Sequence, residues 1–134
     1  MKHYQGFHLV EVLFTLAIVG ITAALSYPIY ADYMLYARRL EAQSTLSKLS
    51  FAMEKYRAEN NSYEHATLEA LNFPETIVKN NYQLAIRQTS HSHYLLTATP
   101  IGKQTKDETC ATLSLNAKEE KGISGHGTLE ECWA

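Results

Sequence analysis

The feature that most constrains this chain is an uncharged stretch near its N-terminus. Twenty residues between Glu11 and Asp32, from Val12 to Ala31, carry no formal charge. A helix needs about 20 mostly apolar residues to cross a bilayer, whereas the apolar region of a signal peptide has roughly 7–15. The stretch therefore predicts one transmembrane helix.

Glu11 is the unusual residue of this segment, because it places a carboxylate at the edge of the apolar run. A negative charge in the first turn of a helix offsets the helix dipole by a few tenths of a kcal/mol. That gain does not explain a carboxylate at the start of a span rather than outside it. Ionisable groups within membrane segments are costly and usually have a partner or a function. We therefore predict a functional role for Glu11.

Composition limits what the rest of the chain can be. The chain has 134 residues and a formal net charge of −2, so roughly 100 residues remain for one modest core. Without a large basic surface, nucleic acid is not the expected direct partner. Cys110 and Cys132 are the two cysteines, and in an exported protein such a pair predicts one disulfide. Two buried free thiols or half of a zinc site are the alternatives, although no Cys-x-x-Cys pattern supports zinc.

One long helix is expected to continue beyond the span. Gly20 and Pro28 predict a kink near Pro28, where the proline cannot donate a helix hydrogen bond. From Ala37 onward the pattern is amphipathic, and Asn60-Asn61-Ser62 predicts its end. A helix from Phe7 to Glu59 would be about 80 Å long at 1.5 Å per residue. Its apolar stripe, which we interpret as core, comprises Ala42, Leu46, Leu49, Met53 and Tyr56.

The C-terminal half predicts a small antiparallel sheet packed on this helix, and hence an α+β fold. A short helix is expected from Ala66 to Leu71, before Pro74. Residues that alternate between apolar and polar predict three strands, and a weaker pattern suggests a fourth. The expected strands are Tyr82–Arg87, Tyr94–Thr99, Thr112–Asn116 and, more weakly, Gly122–Gly125.

No catalytic constellation is present in the sequence, and we expect neither an enzyme nor a cofactor. Ser124 lacks the Gly-x-Ser-x-Gly spacing of a nucleophile elbow. His91 and His93 are interpreted as a hairpin loop rather than as metal ligands, because no carboxylate or cysteine lies nearby in sequence. The acidic pairs that begin at Asp107 and Glu119 alternate with lysines, which is typical of solvated surface loops.

The segment Gly6-Phe7-His8-Leu9-Val10-Glu11, after a short polar leader with Lys2, resembles the processing site of type IV prepilins. The resemblance implies that a prepilin peptidase cuts after Gly6 and methylates the new amino terminus at Phe7. Glu11, at the fifth mature position, would pair with the terminal amine of a neighbouring subunit. His8 departs from the pattern, since Thr or Ser is usual there. The implied parts are a leader (1–6), a membrane-spanning or filament-core half helix (7–32) and a surface head (33–134).

Later motifs are similar to minor pilins of the PilE type. They are Arg38-Arg39, Glu41-Ala42-Gln43, Met53-Glu54-Lys55-Tyr56, Tyr94 to Pro100, Cys110 to Leu115 and Glu131-Cys132-Trp133. By this resemblance Cys110 and Cys132 bracket a disulfide-bound loop. The implied function is a minor subunit of a type IV pilus, which serves adhesion, twitching motility or DNA uptake. A type II secretion pseudopilin is the alternative.

The resemblance also implies partners and location. The partners would be other pilin subunits, prepilin peptidase and the inner-membrane assembly machinery. The chain would cross the inner membrane once and then join an extracellular filament. Counting only nearby Lys and Arg would instead place the C-terminal side inside, because Arg38 and Arg39 outnumber Lys2. A rival small-x-small pattern at Ala24-Leu25-Ser26 would release a soluble domain beginning at Tyr27.

Overall fold

A computed structural model describes residues 5–134 of the protein. Residues 1–4, including Lys2 and most of the expected leader, lie outside the described residues. The chain divides after Met34 into an N-terminal unit and a unit from Leu35 to Ala134, here called the head.

The long helix expected from the sequence is present. Helix α1 comprises Leu9–Asn60 and is not interrupted at Pro28; the kink there stays a prediction. It ends where Asn61 takes a left-handed conformation, with φ 61°, and donates from its N–H to the Arg57 carbonyl at 2.6 Å. Asparagine tolerates this conformation, which terminates helices. The predicted stop is therefore confirmed.

A five-stranded antiparallel sheet forms the other layer of the head. Its strands follow one another in sequence order: β1 (Thr76–Ile77), β2 (Tyr82–Arg87), β3 (Leu95–Pro100), β4 (Leu113–Asn116) and β5 (Lys121–Ile123). The three main predicted strands and the weaker fourth are confirmed; β2 has the predicted bounds, and the others differ from theirs by one or two residues at one or both ends. The predictions missed β1, since two residues are too few to show an alternating pattern.

The core lies between the sheet and the part of α1 that belongs to the head. The predicted stripe is confirmed, since Ala42, Leu46, Leu49 and Met53 are fully buried and Tyr56 is half-buried. The sheet contributes alternate residues from one face, among them Leu84, Leu96, Ala98, Leu113 and Leu115. Every buried residue of the described chain lies in the head, which therefore has its own complete core.

The expected helix over Ala66–Leu71 is wrong, because this segment forms turns. The Thr67 hydroxyl accepts the Ala70 N–H at 3.1 Å, and the Leu68 carbonyl accepts the Phe73 N–H at 2.8 Å. Six residues cannot repay the cost of starting a helix without strong packing. Side-chain hydrogen bonds to the backbone, as Thr67 makes, favour turns instead.

Two short elements near the C-terminus were not anticipated. A 3-10 helix comprises Gly102–Lys106, and helix α2 comprises Leu129–Cys132. Helix α2 begins with a capping box, in which the Thr128 and Glu131 side chains each accept the other's backbone N–H. The Thr-x-x-Glu spacing was the sequence signal for this start.

Candidate functional site

The N-terminal unit exposes an almost entirely apolar helix surface. The most apolar stretch of 18 residues in α1 has no buried residue. By length and composition α1 could cross a membrane. The exposed fraction reaches 89% for Phe7 and 76% for Leu9. Apolar surface of this extent marks contact with a membrane or with other proteins. The tyrosines at the end of the span, Tyr27, Tyr30, Tyr33 and Tyr36, are also exposed.

Three hydroxyl side chains in the span satisfy their hydrogen bonds within the helix. Thr15, Thr22 and Ser26 each donate to the carbonyl four residues earlier, all at 2.8 Å. Such bonds make hydroxyl groups compatible with a medium that offers no water. These three residues therefore need no partner outside the helix.

Glu11 differs from these hydroxyl residues. It lies in the first turn of α1, its side chain is exposed, and within residues 5–134 it forms no salt bridge. The adjacent helix dipole favours a carboxylate only by a few tenths of a kcal/mol. In a membrane or a packed helix bundle, the Glu11 carboxylate needs an opposite charge that the described part of its own chain does not supply.

Gly6 and Phe7 precede the helix in exposed chain without regular secondary structure. They line an open cleft of about 470 Å³ together with Gln5, His8 and Glu11. A Cβ atom added at Gly6 would meet nothing within 4 Å, so the fold does not require glycine there. The structure thus brings the residues expected at the processing site together with the expected assembly residue. A requirement for Gly6 would have to come from an interacting protein.

A largely buried ion pair joins α1 to the loop after the 3-10 helix. The Arg39 guanidinium donates two hydrogen bonds to the Asp107 carboxylate, at 2.9 and 3.0 Å, and the Asp107 side chain is 2% exposed. The expectation that Asp107 belongs to a solvated loop is therefore wrong. Local sequence gave no sign of the pair, because its partners are 68 residues apart.

Gln104 adds further hydrogen bonds to this polar cluster. Its amide nitrogen donates to the Leu35 carbonyl and to the Tyr82 hydroxyl, both at 3.0 Å. Burial raises the pKa of Tyr82 to about 12, against a smaller lowering by the Gln104 hydrogen bond. The cluster has no nucleophile, and we interpret it as a structural link between α1 and the 3-10 segment.

The C-terminus is fixed to the head by a disulfide and by Gln43. Cys110 and Cys132 are bonded and buried, which confirms the predicted pairing over 22 residues. The Gln43 amide donates to the Cys132 carbonyl and accepts the Ala134 N–H. The Trp133 indole donates to the Gly122 carbonyl at 3.1 Å. In the sequence Gln43 appears only within the Glu41-Ala42-Gln43 motif, and no local pattern predicted its contacts with the C-terminus.

The remaining candidate residues do not form a reactive site. Between residues 5 and 134, no three histidine, cysteine or acidic residues are placed to hold a metal ion. His91 and His93 lie in the loop between β2 and β3, as interpreted from the sequence. The Ser124 hydroxyl accepts the Thr112 N–H at 3.0 Å, which gives it a structural role.

Comparison with known proteins gives a consistent family match. Residues 28–114 match the family model described as type IV minor pilin ComP, DNA uptake sequence receptor. The chain is 29% identical over 120 residues to a type IV major pilin protein, PilE1, of Neisseria gonorrhoeae. That match covers 88% of this chain and 71% of the relative. A fimbrial protein of Pseudomonas aeruginosa is 41% identical over 54 residues, which cover 40% of this chain and 35% of that protein.

Solved structures of pilins share the fold. The non-core minor pilin PilV of Neisseria meningitidis has 23% sequence identity and a TM-score of 0.58, with 75% of this chain and 94% of that chain covered. A type IV pilin from Shewanella oneidensis also has 23% identity, with a TM-score of 0.51 and coverage of 75% and 98%. Both likenesses support the α+β architecture of a long helix on a small antiparallel sheet.

Proposed function

The chain belongs to the type IV minor pilin family and is a structural pilus subunit; we propose that it enters the filament after prepilin peptidase removes residues 1–6. Membership of a pilin family implies assembly with other pilins. The single observation that carries the proposal is the exposed apolar half of α1, with a Glu11 carboxylate in its first turn that forms no salt bridge within residues 5–134. A pseudopilin role loses support, because the matching family and the reported relatives are pilins or fimbrial proteins.

The proposed pathway follows from the N-terminal unit. Before assembly the apolar half of α1 anchors the chain as a single span of the inner membrane, with the head outside the cytoplasm. Cleavage after Gly6 by the peptidase creates an amine at Phe7, which is then methylated. The inner-membrane assembly machinery then transfers the chain into the filament, where apolar helices of neighbouring subunits replace lipid.

Glu11 would guide each subunit into position during this transfer. An unpaired carboxylate is costly in a medium of low dielectric constant, and a charged amine from a neighbouring subunit removes much of that cost. Phe7 and Glu11 line the same cleft, so each subunit would carry both the new amine and the carboxylate at the same end of α1. Subunits would then join in one register along the filament axis.

Replacing Gly6 with alanine tests the proposed processing. Because a Cβ at this position meets nothing within 4 Å, Gly6→Ala should leave the head fold unchanged while the leader stays uncut. Intact mass spectrometry of the membrane fraction reads the leader directly. Gly20→Ala is the matched control, since Cβ also meets nothing there and processing should be normal. Normal cleavage of the Gly6→Ala chain would refute processing after Gly6.

Direct DNA binding is a second candidate function, and two observations favour it. The matching family is described as a DNA uptake sequence receptor. Two turns of the head lie close together, since a Cβ at Gly102 would be 3.2 Å from the Asn80 carbonyl. These turns carry three exposed lysines: Lys79, Lys103 and Lys106. The sequence-based prediction against direct nucleic-acid contact stays untested. An experiment must therefore decide whether the head binds DNA directly or not.

Salt dependence of DNA affinity distinguishes these views. If the three lysines contact phosphates, the logarithm of the binding constant should fall with the logarithm of salt concentration with a slope of about −2.7. Lys79→Ala and Lys103→Ala should each make the slope shallower by about 1, as measured by fluorescence anisotropy with labelled duplex DNA. Lys118→Ala, an exposed lysine in the β4–β5 turn, is the control. Undetectable binding at low salt would exclude this function.

A further inference from the structure

Strand β2 has one edge that the protein leaves largely uncovered. Strand β3 pairs with β2 along its whole length, from Tyr82 to Arg87, whereas β1 pairs only with Tyr82 and Gln83. Exposed strand edges present unpaired N–H and C=O groups, and proteins usually cover or disrupt them. The edge beyond Gln83 therefore calls for an explanation.

The hydrogen bonds show which backbone groups face this edge. The Ile101 N–H donates to the Asn81 carbonyl at 2.9 Å on the β3 side, and the Leu84 N–H donates to the Glu75 carbonyl at 2.7 Å on the β1 side. Backbone groups alternate in direction along a strand, so Ile86 faces the same side as Leu84. Within residues 5–134, no residue outside the strands forms a backbone hydrogen bond with Ile86.

The preceding loop turns the chain away from this edge instead of extending β1. Asn72 has φ 58° and donates its N–H to the Glu69 carbonyl at 3.1 Å, and the Phe73 N–H donates to the Leu68 carbonyl at 2.8 Å. Pro74 follows, and a proline has no N–H to add to a sheet. The chain's own backbone thus joins the sheet only from Glu75 onward.

An open groove of about 680 Å³ separates this loop from β2. We call it the edge groove, and the residues that matter for its chemistry are Leu68, Glu69, Phe73, Glu75, Leu84 and Ile86. Leu68, Phe73 and Ile86 are partly buried against the core and supply apolar surface. Both charged residues among all those lining it are acidic, Glu69 and Glu75.

We propose that the edge groove binds an extended segment of a partner protein, which adds a strand beside β2 and carries apolar and basic side chains. The backbone groups of Ile86 would pair with the added strand, as in other cases where a peptide extends a sheet. The apolar surface of Leu68, Phe73 and Ile86 receives alternate apolar side chains. Glu69 and Glu75 favour lysine or arginine in the segment and disfavour acidic strands and nucleic acid.

A defined peptide tests this proposal with the full chain in detergent micelles. The probe is a fluorescein-labelled peptide of sequence Thr-Val-Lys-Val-Lys-Val-Thr, and fluorescence anisotropy measures its binding. A second peptide with Glu in place of both Lys should bind several-fold more weakly, because Glu69 and Glu75 would repel it. Hydrogen–deuterium exchange should become slower in the β2 segment that contains Ile86 when the first peptide binds.

Ile86→Pro is the decisive variant. It removes the N–H that faces the groove, while the residues that bond to β3 keep theirs, and edge strands tolerate such prolines. The variant should bind the first peptide about tenfold more weakly. Ile86→Ala keeps the N–H but loses apolar surface, so comparing the two variants separates the backbone hydrogen bond from the apolar contact. Ile86→Ala should bind the first peptide more tightly than Ile86→Pro does. Thermal unfolding of each variant checks that the head remains folded.

Three results would overturn the proposal. The first is equal binding of the peptide by wild type and a folded Ile86→Pro variant. The second is no saturable binding of the lysine peptide, or equal affinity for the glutamate peptide. The third is self-association of the full chain that Ile86→Pro abolishes, which would identify a second copy of the chain as the occupant. None of these results depends on Gly6 or Glu11, so the proposed pilus function would stand or fall separately.

Discussion

Replacing Asp107 with alanine is expected to destabilise the head by about 3–5 kcal/mol, because it leaves the largely buried Arg39 guanidinium, 12% exposed, without its carboxylate. The two groups share a bidentate contact, and the Asp107 side chain is 2% exposed. The variant also removes the acceptor that lies 3.4 Å from the Cys110 N–H. For a domain of this size the melting temperature should fall by roughly 12 °C or more.

Thermal unfolding of the Leu35–Ala134 head measures this effect, since the head contains every buried residue of the described chain. Glu108→Ala changes the adjacent, exposed carboxylate and should alter stability by no more than about 0.5 kcal/mol. The double variant Arg39→Met/Asp107→Leu should recover much of the loss, because it removes both buried charges together. Equal stability of Asp107→Ala and wild type would show that the ion pair does not hold α1 to this loop.

Replacing Glu11 with glutamine should sharply reduce entry of the chain into filaments, while membrane insertion and cleavage continue. Glutamine keeps the size and polarity of the side chain but removes the charge that would pair with a neighbour's amine. Loss of even 1.4 kcal/mol is a tenfold effect on an equilibrium, and buried charge pairs are worth more when one partner is removed. We therefore expect at least a tenfold decrease in the variant's share of sheared filaments.

Quantitative mass spectrometry of sheared filaments and of the membrane fraction measures this distribution. Glu41→Gln is the matched control, because Glu41 is an exposed carboxylate of the same helix within the head. Its incorporation should be normal. If Glu11→Gln enters filaments as well as Glu41→Gln does, the carboxylate does not direct assembly.

Local patterns were sufficient to predict most of the fold. The apolar run, the stripe from Ala42 to Tyr56 and the alternation in β2, β3 and β4 depend on residues close in sequence, and all three are confirmed. The helix predicted over Ala66–Leu71 was wrong, because side-chain and turn hydrogen bonds outweighed helix propensity over six residues. Helix α2 was missed although its capping box is visible as Thr-x-x-Glu.

The parts that could not be predicted depend on distant partners. Two of these features join residues far apart in sequence: the Arg39–Asp107 pair and the contacts of Gln43 with the C-terminus. The third, the exposed edge of β2, results from how little of that strand β1 covers. Charge pattern alone placed Asp107 on a solvated loop, because loops of mixed charge are usually solvated. The residues expected at the processing site were accessible to sequence reasoning, since Gly6, Phe7 and Glu11 form one continuous motif.

The most direct test of the central claim is the N-terminal peptide of the chain isolated from sheared wild-type filaments. We expect a chain that begins at Phe7, carries one methyl group on its terminal nitrogen and retains the apolar half of α1. A chain in the filament that still carries its leader, or a mature chain that begins at Tyr27 and lacks the span, would contradict it.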